Sequence, residues 1–322
     1  LRLAFHKVAD RVFVRLTALA PRLGAAVLAA LLPFGHAWAQ GTTDQARLQS
    51  WKRHLQLQQQ SPFVHLRWRA IGSRKQGVRI ESIACPPGNT SVMYVGVGSG
   101  NLWKTVNNGI TWTPIFEHES SGAIGDVAVS PSHPDVVWAG TGEVLMTRNS
   151  TIPGMGVFKS TDAGGSWQNM GLNDTHHIGR VLIDPKDPNV VYVAAIGHLS
   201  TPNRQRGLFK TVDGGKTWTD SLFIDEYTAV IDVCFDPGDC KTLYAASWRR
   251  APEGHDNYGA TSGIHKSTDS GQTWRRLAGG LPSGDGVGRI GIDVATSNPK
   301  VVYALVDGKQ EDALYRSYNG GE

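Results

Sequence analysis

Apolar and polar residues alternate along most of this chain in short runs of four to six, the period-two signature of strands with one buried face. Two patterns recur. In the first, an apolar pair is followed by a cation and then a hydroxyl, as in Val157-Phe158-Lys159-Ser160 and Leu208-Phe209-Lys210-Thr211. The cation is present each time, as Lys104, Lys159, Lys210, Lys266 and Arg316. The second pattern comes earlier in each unit and predicts a strand, a turn and another strand. Its copies are Glu81 to Pro86 with Val92 to Gly96, Asp126 to Pro131 with Val136 to Gly140, and Arg180 to Pro185 with Val190 to Ala194. Asp232 to Pro237 with Thr242 to Ala246, and Arg289 to Val294 with Val301 to Leu305, complete the set.

A turn motif closes each unit. Thr105, Asn107, Gly109 and Trp112 recur as Ser160, Asp162, Gly164 and Trp167, as Thr211, Asp213, Gly215 and Trp218, and as Ser267, Asp269, Gly271 and Trp274. A fifth copy starts at Ser317-Tyr318-Asn319-Gly320-Gly321. The starts are 55, 51, 56 and 50 residues apart, a period that suits one four-stranded propeller blade. The hydroxyl and the Asp or Asn oxygen are suited to accept turn N–H groups, Gly to a positive φ, and Trp to packing between blades. The Asp residues are therefore read as structural. The predicted fold is all-β, a β-propeller with four complete blades and a partial fifth, truncated from a larger propeller, over residues 66–322. Leu66 to Ile71 reads as an outer strand without its own blade.

Composition fits this picture. The chain has 322 residues, 38 of them Gly and 16 Pro, which favours tight turns. Residues 1–39 have the layout of a secretory signal peptide: basic Lys7, Arg11, Arg15 and Arg22, the apolar run Leu23 to Leu32, and Ala37-Trp38-Ala39 before a cleavage site. That leader carries five Lys/Arg and one Asp, so the net +4 of the whole chain belongs to it and the remainder is neutral. A neutral surface argues against nucleic-acid binding. The expected location is secreted or periplasmic, with no membrane span after cleavage. Residues 40–65 read as a polar linker or a short helix, with Leu48, Trp51 and Leu55 on one face. Of the three cysteines, Cys234 and Cys240 flank the turn Asp236-Pro237-Gly238 and are the pair considered for a disulfide.

The turn motifs resemble the Asp-box, or bacterial neuraminidase repeat, superfamily over about residues 66–322. The stretches Gly140-Thr141-Gly142-Glu143, His176-His177-Ile178-Gly179-Arg180 and Ala195-Ile196-Gly197-His198-Leu199 look most like secreted bacterial proteins with sortilin-type propellers, often labelled glycosyl hydrolases. Sialidases of the superfamily carry an Arg-Ile-Pro element; Val78-Arg79-Ile80-Glu81 lacks the proline. Xyloglucanase-type propellers carry a catalytic Asp shortly before the first box; Val97-Gly98-Ser99-Gly100-Asn101 has no carboxylate.

Loops held on a rigid scaffold are where binding residues collect. The loops between the second and third strands of each blade are the variable ones, at Gly142–Met155, Gly197–Arg206 and Trp248–Thr261. Candidate ligand-binding residues are Arg180, Arg289, Trp248, Arg249, Arg250, His176 and His198. Trp248 beside two arginines is suited to stack on a sugar or hold an anion, or else it packs within its loop. His176 and His177, as neighbours, point to opposite sides and do not share one ion, so no metal site and no cofactor are expected. The first residues of the inner strands, Glu81, Asp126, Arg180, Asp232 and Arg289, are all charged and predict a ring of inter-blade ion pairs at the channel mouth.

The leading expectation is a non-catalytic module that binds a peptide or glycan. Its first alternative is a glycoside hydrolase acting on polysaccharide, with Glu143 paired with Asp225 or Glu226 as the only carboxylates to test. Its second is an assembly scaffold that holds a protein partner.

Overall fold

Each blade begins where a β-branched run meets a turn, and the strands follow the repeat. The structure, a computed structural model, describes residues 43–66, 79–144, 151–250, 257–310 and 312–322. The signal-peptide reading lies outside the described residues, as does all of the Leu66–Ile71 strand reading except Leu66. Helix α1 (Asp44–Gln60) precedes the sheets, with Asp44 Oδ1 accepting the Gln45 N–H in its first turn. None of its residues is buried, but Leu48 rests against the core between the first two blades. The polar segment after residue 40 is therefore helical, because one apolar contact and a capping aspartate suffice for a helix that is otherwise solvated. No helix among the described residues is long and apolar enough to cross a membrane.

Blade 1 is β1 (Ile80–Ala84), β2 (Met93–Val97), β3 (Leu102–Thr105) and β4 (Thr113–Pro114). Blade 2 is β5 (Ile124–Val129), β6 (Val137–Thr141), β7 (Val157–Ser160) and β8 (Gln168–Asn169). Blade 3 is β9 (Ile178–Ile183), β10 (Val191–Ala195), β11 (Gly207–Thr211) and β12 (Thr219–Leu222). Blade 4 is β13 (Thr228–Asp236), β14 (Asp239–Arg249), β15 (Gly263–Ser267) and β16 (Arg275–Arg276). Blade 5 has three strands, β17 (Val287–Val294), β18 (Val302–Gly308) and β19 (Ala313–Ser317). Every sheet is an antiparallel meander in chain order, as the propeller reading requires. Cys85, Cys234 and Cys240 are free thiols. Asp236 pairs with Asp239 across the turn, which puts Cys234 opposite Tyr244 and out of register with Cys240.

The core lies between blades rather than within them. Four clusters of buried side chains each join one blade to the next, for example Tyr94, Leu102 and Phe116 with Ile124, Val137 and Phe158. The turn motifs fasten these seams. In blade 2, Ser160 Oγ donates to Asp162 Oδ1 (2.7 Å) and accepts the Gly164 N–H (2.7 Å). Asp162 in turn accepts the Ser166 N–H (2.8 Å) and hydroxyl (2.7 Å). The closed turn then docks on the preceding blade. Trp167 Nε1 donates to the Ile115 carbonyl (2.8 Å), and the Ala163 carbonyl accepts from both Tyr94 Oη (3.0 Å) and Lys104 Nζ (2.7 Å). Tyr192 and Lys210 hold the Ser270 carbonyl in the same way, and Tyr244 and Lys266 hold that of Gly320. The recurrent lysine is thus an inter-blade clamp, which the alternation of residues alone did not disclose.

The motif aspartates make a pH prediction. Hydrogen bonds from Ser166, and then from Ser160, hold the exposed Asp162 carboxyl down to about 2. Thr273 and Ser267 hold Asp269 down to about 2, and Thr217 lowers Asp213 further. A carboxyl lowered on folding stabilises above its unfolded value, and that contribution is lost as pH falls through the folded value. The thermal midpoint is therefore expected to fall between about pH 4 and pH 2 on account of these groups. Asp213→Asn, which copies the Asn107 found in blade 1, should flatten part of that decline. Melting curves over the window check it, and an unchanged slope in the variant counts against the assignment.

Candidate functional site

The inner strands bring all five ring residues together. Glu81, Asp126, Arg180, Asp232 and Arg289 line one cavity of about 110 Å³, with Gly125, Gly179 and Gly291 between them. Arg180 Nε donates to Asp232 Oδ1 (2.7 Å) and its guanidinium lies 4.0 Å from Asp126 Oδ1. The carboxylates also reach backbone across the seams: Asp126 Oδ2 accepts the Val181 N–H (2.7 Å) and Asp232 Oδ2 that of Ile292 (3.1 Å). Ser82 Oγ donates to Asp126 Oδ1 (2.5 Å), so the chain of contacts starts in blade 1. Burial pulls the Arg180 guanidinium down, but Asp126 and Asp232 outweigh it and raise it overall. Arg180 is therefore committed to its two carboxylates.

Glu143 lies just beyond β6 and is buried, in an ion pair with Arg79. Its side chain also accepts the Ile152 N–H (3.3 Å). A Cβ placed on Gly98 would meet Glu81 Oε1 at 2.5 Å and the Glu143 Cγ methylene at 3.1 Å, so the carboxyl of Glu81 and the stem of Glu143 both pack against that glycine. Asp225 Oδ1 accepts the Tyr227 N–H (2.7 Å), and the backbone carbonyl of Glu226 accepts the Asn203 N–H (3.1 Å). The acidic side chain that packs beside Glu143 against Gly98 is Glu81, which the first-strand alignment had placed only in the charged ring.

The His176 and His177 rings meet edge to face with centroids 6.3 Å apart. His177 Nδ1 donates to the Glu143 carbonyl (2.9 Å), and burial, with Arg250 next, lowers its pKa to about 3. His176, at φ +56°, turns the other way and stacks on His198 with ring centroids 3.9 Å apart. Asp174 Oδ1 lies 3.6 Å from His176 Nε2 and 3.1 Å from His198 Nε2. Burial, and then His198, lowers His176 to about 4. Asp174 carries no pattern in the sequence. It is brought in because the loop before β9 and the loop after β10 meet at the same end of blade 3.

Trp248 and Arg249 belong to β14 rather than to a loop, because the β13–β14 hairpin is longer than its counterparts. Trp248 is 5 % exposed, donates Nε1–H to the Asn257 carbonyl (2.9 Å), and has the guanidiniums of Arg250 and Arg289 over its ring at 5.3 and 5.9 Å. The ring is packed, not presented to a sugar. Arg250 is buried, and Arg249 bonds to the Ser262 hydroxyl through its backbone N–H (2.9 Å). Arg206, also buried, donates to the carbonyls of Tyr227 (3.0 Å), Arg250 (3.2 Å) and His198 (2.5 Å) and so ties the loops of blades 3 and 4 together. Arg148, Glu253 and His255 of the variable loops lie outside the described residues.

No family model matches the chain. It is similar to a probable oligoxyloglucan-reducing end-specific xyloglucanase of Neosartorya fischeri, 24% identical over 220 residues that make up 63% of this chain and 24% of that protein. A xyloglucanase of Acetivibrio thermocellus is 25% identical over 215 residues, 58% of this chain and 24% of the relative. The chain thus spans about a quarter of the length of these relatives. Among solved structures, a GH74 enzyme of Niastella koreensis superposes with a TM-score of 0.57 at 21% identity, over 76% of this chain and 37% of that one. The GH74 xyloglucanase of Xanthomonas campestris gives 0.56 at 20% identity, with the same coverage. The structural likeness establishes the propeller fold. The sequence relatives overturn the expectation of a non-catalytic binding module, since they are named for hydrolysis of a polysaccharide. The stretch Val97 to Asn101 itself has no carboxylate, but the space beside its Gly98 is filled from two other segments, by Glu81 and Glu143.

Proposed function

We propose that this propeller serves a secreted glycoside hydrolase acting on a β-glucan-type polysaccharide such as xyloglucan. The observation that carries it is the meeting of Glu81 and Glu143 around Gly98. Xyloglucanase-type propellers place an Asp at this stretch, and here the β-carbon of such a residue would land on the carboxyl of Glu81. The neighbouring strand β1 therefore offers a carboxyl oxygen, that of Glu81, in the same space, with Glu143 packed beside it. Hydrolysis of a glycosidic bond needs two carboxyl groups flanking it, one to protonate the leaving oxygen and one to act as base or nucleophile. Glu143, neutralised by Arg79 and fixed through Ile152, is the base or nucleophile in this reading. Glu81 is the second group. The assignment of the turn motifs to the Asp-box superfamily, the sortilin-type subgroup, and export behind a leader at residues 1–39 belong to the same proposal, and the xyloglucan-acting relatives support it.

The test is hydrolysis of a panel of plant β-glucans by the full-length protein. Glu143→Gln is expected to lower kcat by roughly 100-fold or more while leaving the protein folded. Turnover at the wild-type rate in that variant, or no turnover on any glycan of the panel, sinks the proposal.

A further inference from the structure

We infer that Asp174, His176 and His198 form a binding site for a divalent transition-metal ion of the zinc class, at the end of blade 3. The inference is independent of the hydrolase reading. Each residue offers one ligand atom, and the three atoms all lie within 4.8 Å of one another, the one such group among the described residues. Two imidazole nitrogens and a carboxylate oxygen are the donors that zinc takes, at roughly 2.0–2.2 Å each. Tetrahedral geometry at that bond length separates neighbouring ligand atoms by roughly 3.3–3.5 Å. The observed separations from Asp174 Oδ1, 3.6 Å to His176 Nε2 and 3.1 Å to His198 Nε2, bracket that value. The third side lies within 4.8 Å, and because the two imidazoles are stacked with centroids 3.9 Å apart, the rings must turn for both nitrogens to face one ion.

Two further observations point to a ligand. His176 Nε2 is buried and makes no hydrogen bond, an arrangement that costs stability unless something occupies the position. His176 also holds a positive φ of +56°, a conformation that L-residues seldom adopt and that tends to be retained where function requires it. The Thr175 N–H and hydroxyl both bond to the Leu172 carbonyl (3.0 and 2.8 Å), and Asn203 Oδ1 accepts the His198 N–H (3.2 Å). The two loops that carry the ligands are thus fixed before an ion arrives. The three side chains are partly exposed, which gives an ion a path to them.

Two features oppose the ion: His198 Nε2 lies 3.0 Å from the Asp174 carbonyl, to which it donates, so the ion must displace that proton, and a cation stands nearby. Arg47 of α1 lies near enough to act electrostatically on both Asp174 and His176, and its guanidinium bonds to the Gly154 carbonyl. His177, the other titratable neighbour, is turned towards the Glu143 carbonyl. Removal of Arg47 should therefore tighten binding.

The experiment is equilibrium dialysis of the tag-free full chain against zinc chloride, with cobalt(II) absorption as a geometric readout. One ion per chain is expected. His176→Ala and His198→Ala should each weaken binding roughly tenfold or more, and Arg47→Met should strengthen it several-fold. Cobalt d–d bands should appear in the wild type and vanish in His198→Ala. Asp174→Asn, which keeps the size of the side chain, is the variant to use if a histidine variant melts early. Zinc bound equally well by the folded His176→Ala/His198→Ala double variant, or no saturable binding by the wild type, overturns the site.

Discussion

Replacing Asp126 by Ala is expected to destabilise the propeller by about 3–5 kcal/mol, the largest loss from any one polar side chain of the channel. The carboxylate is 3 % exposed and serves three blades: it accepts the hydroxyl of Ser82 in blade 1, belongs to blade 2, and accepts the Val181 N–H and the charge of Arg180 in blade 3. Alanine removes the acceptor of the Val181 N–H and the nearer acceptor of the Ser82 hydroxyl, which keeps only the Val127 carbonyl at 3.5 Å. An unsatisfied buried donor costs roughly 1–3 kcal/mol, and here one donor loses its acceptor and a second keeps only the longer contact. Arg180 keeps Asp232 at 2.7 Å, which limits the electrostatic part. Asp126→Asn keeps one oxygen for the Val181 N–H and turns its NH2 to the Ser82 hydroxyl, which can accept it and donate to the Val127 carbonyl instead, so the variant gives up the charge and one acceptor. Burial, the strongest influence on Asp126, already pushes its carboxyl up against the opposing pull of Arg180. The amide should therefore cost less than half as much. Denaturant midpoints measure both, with a fall in melting temperature on the order of 10 °C for the alanine variant. An alanine variant within 1 kcal/mol of wild type would show that the seams rest on apolar packing alone.

The comparison of Asp126 with Gly98 shows which features the sequence discloses. The repeat is local, so four motifs at near-constant spacing fixed the strands, the turns and the charged first position of each inner strand. Asp126 and Arg180 were legible because alignment of the blades puts equivalent residues at one end of the channel. Contacts that cross from one blade to the next have no fixed spacing along the chain. The Tyr–Lys clamp on the following turn and Glu81 beside Glu143 arise this way, and Asp174 beside His198 joins two loops of one blade that are likewise separated along the chain. Trp248 failed for a different reason: its hairpin extends β14 by several residues, which converts a predicted loop tip into a packed strand. His176 was treated as one of a neighbouring pair, when its partner lies 22 positions ahead in another loop of the same blade.

Gly142→Ala is expected to disable both sites at once. Gly142 sits at φ +97°, and a Cβ there would meet the His176 carbonyl oxygen at 2.0 Å and the His177 Cα at 2.9 Å. These are backbone atoms, so no rotamer relieves the clash. The Gly142 N–H is also held by the Ala123 carbonyl (2.9 Å), and the His176 carbonyl by the Gly154 N–H (2.6 Å), which leaves neither segment free to step back. Left-handed strain and the overlap together put the cost above about 2 kcal/mol. The functional consequence follows from what lies on each side. Glu143 is the next residue, and the displaced peptide carries His176 to the proposed metal site and His177 to the Glu143 carbonyl. Glycan hydrolysis and zinc binding should therefore fall together in this variant, whereas Glu143→Gln removes only the first and His198→Ala chiefly the second. Gly122→Ala supplies the comparison, since a Cβ there meets nothing within 4 Å and should change stability by less than about 0.5 kcal/mol. Equal melting curves for the two alanine variants, with zinc binding intact in both, would mean that Gly142 does not set the frame on which the glutamate and the histidines are mounted.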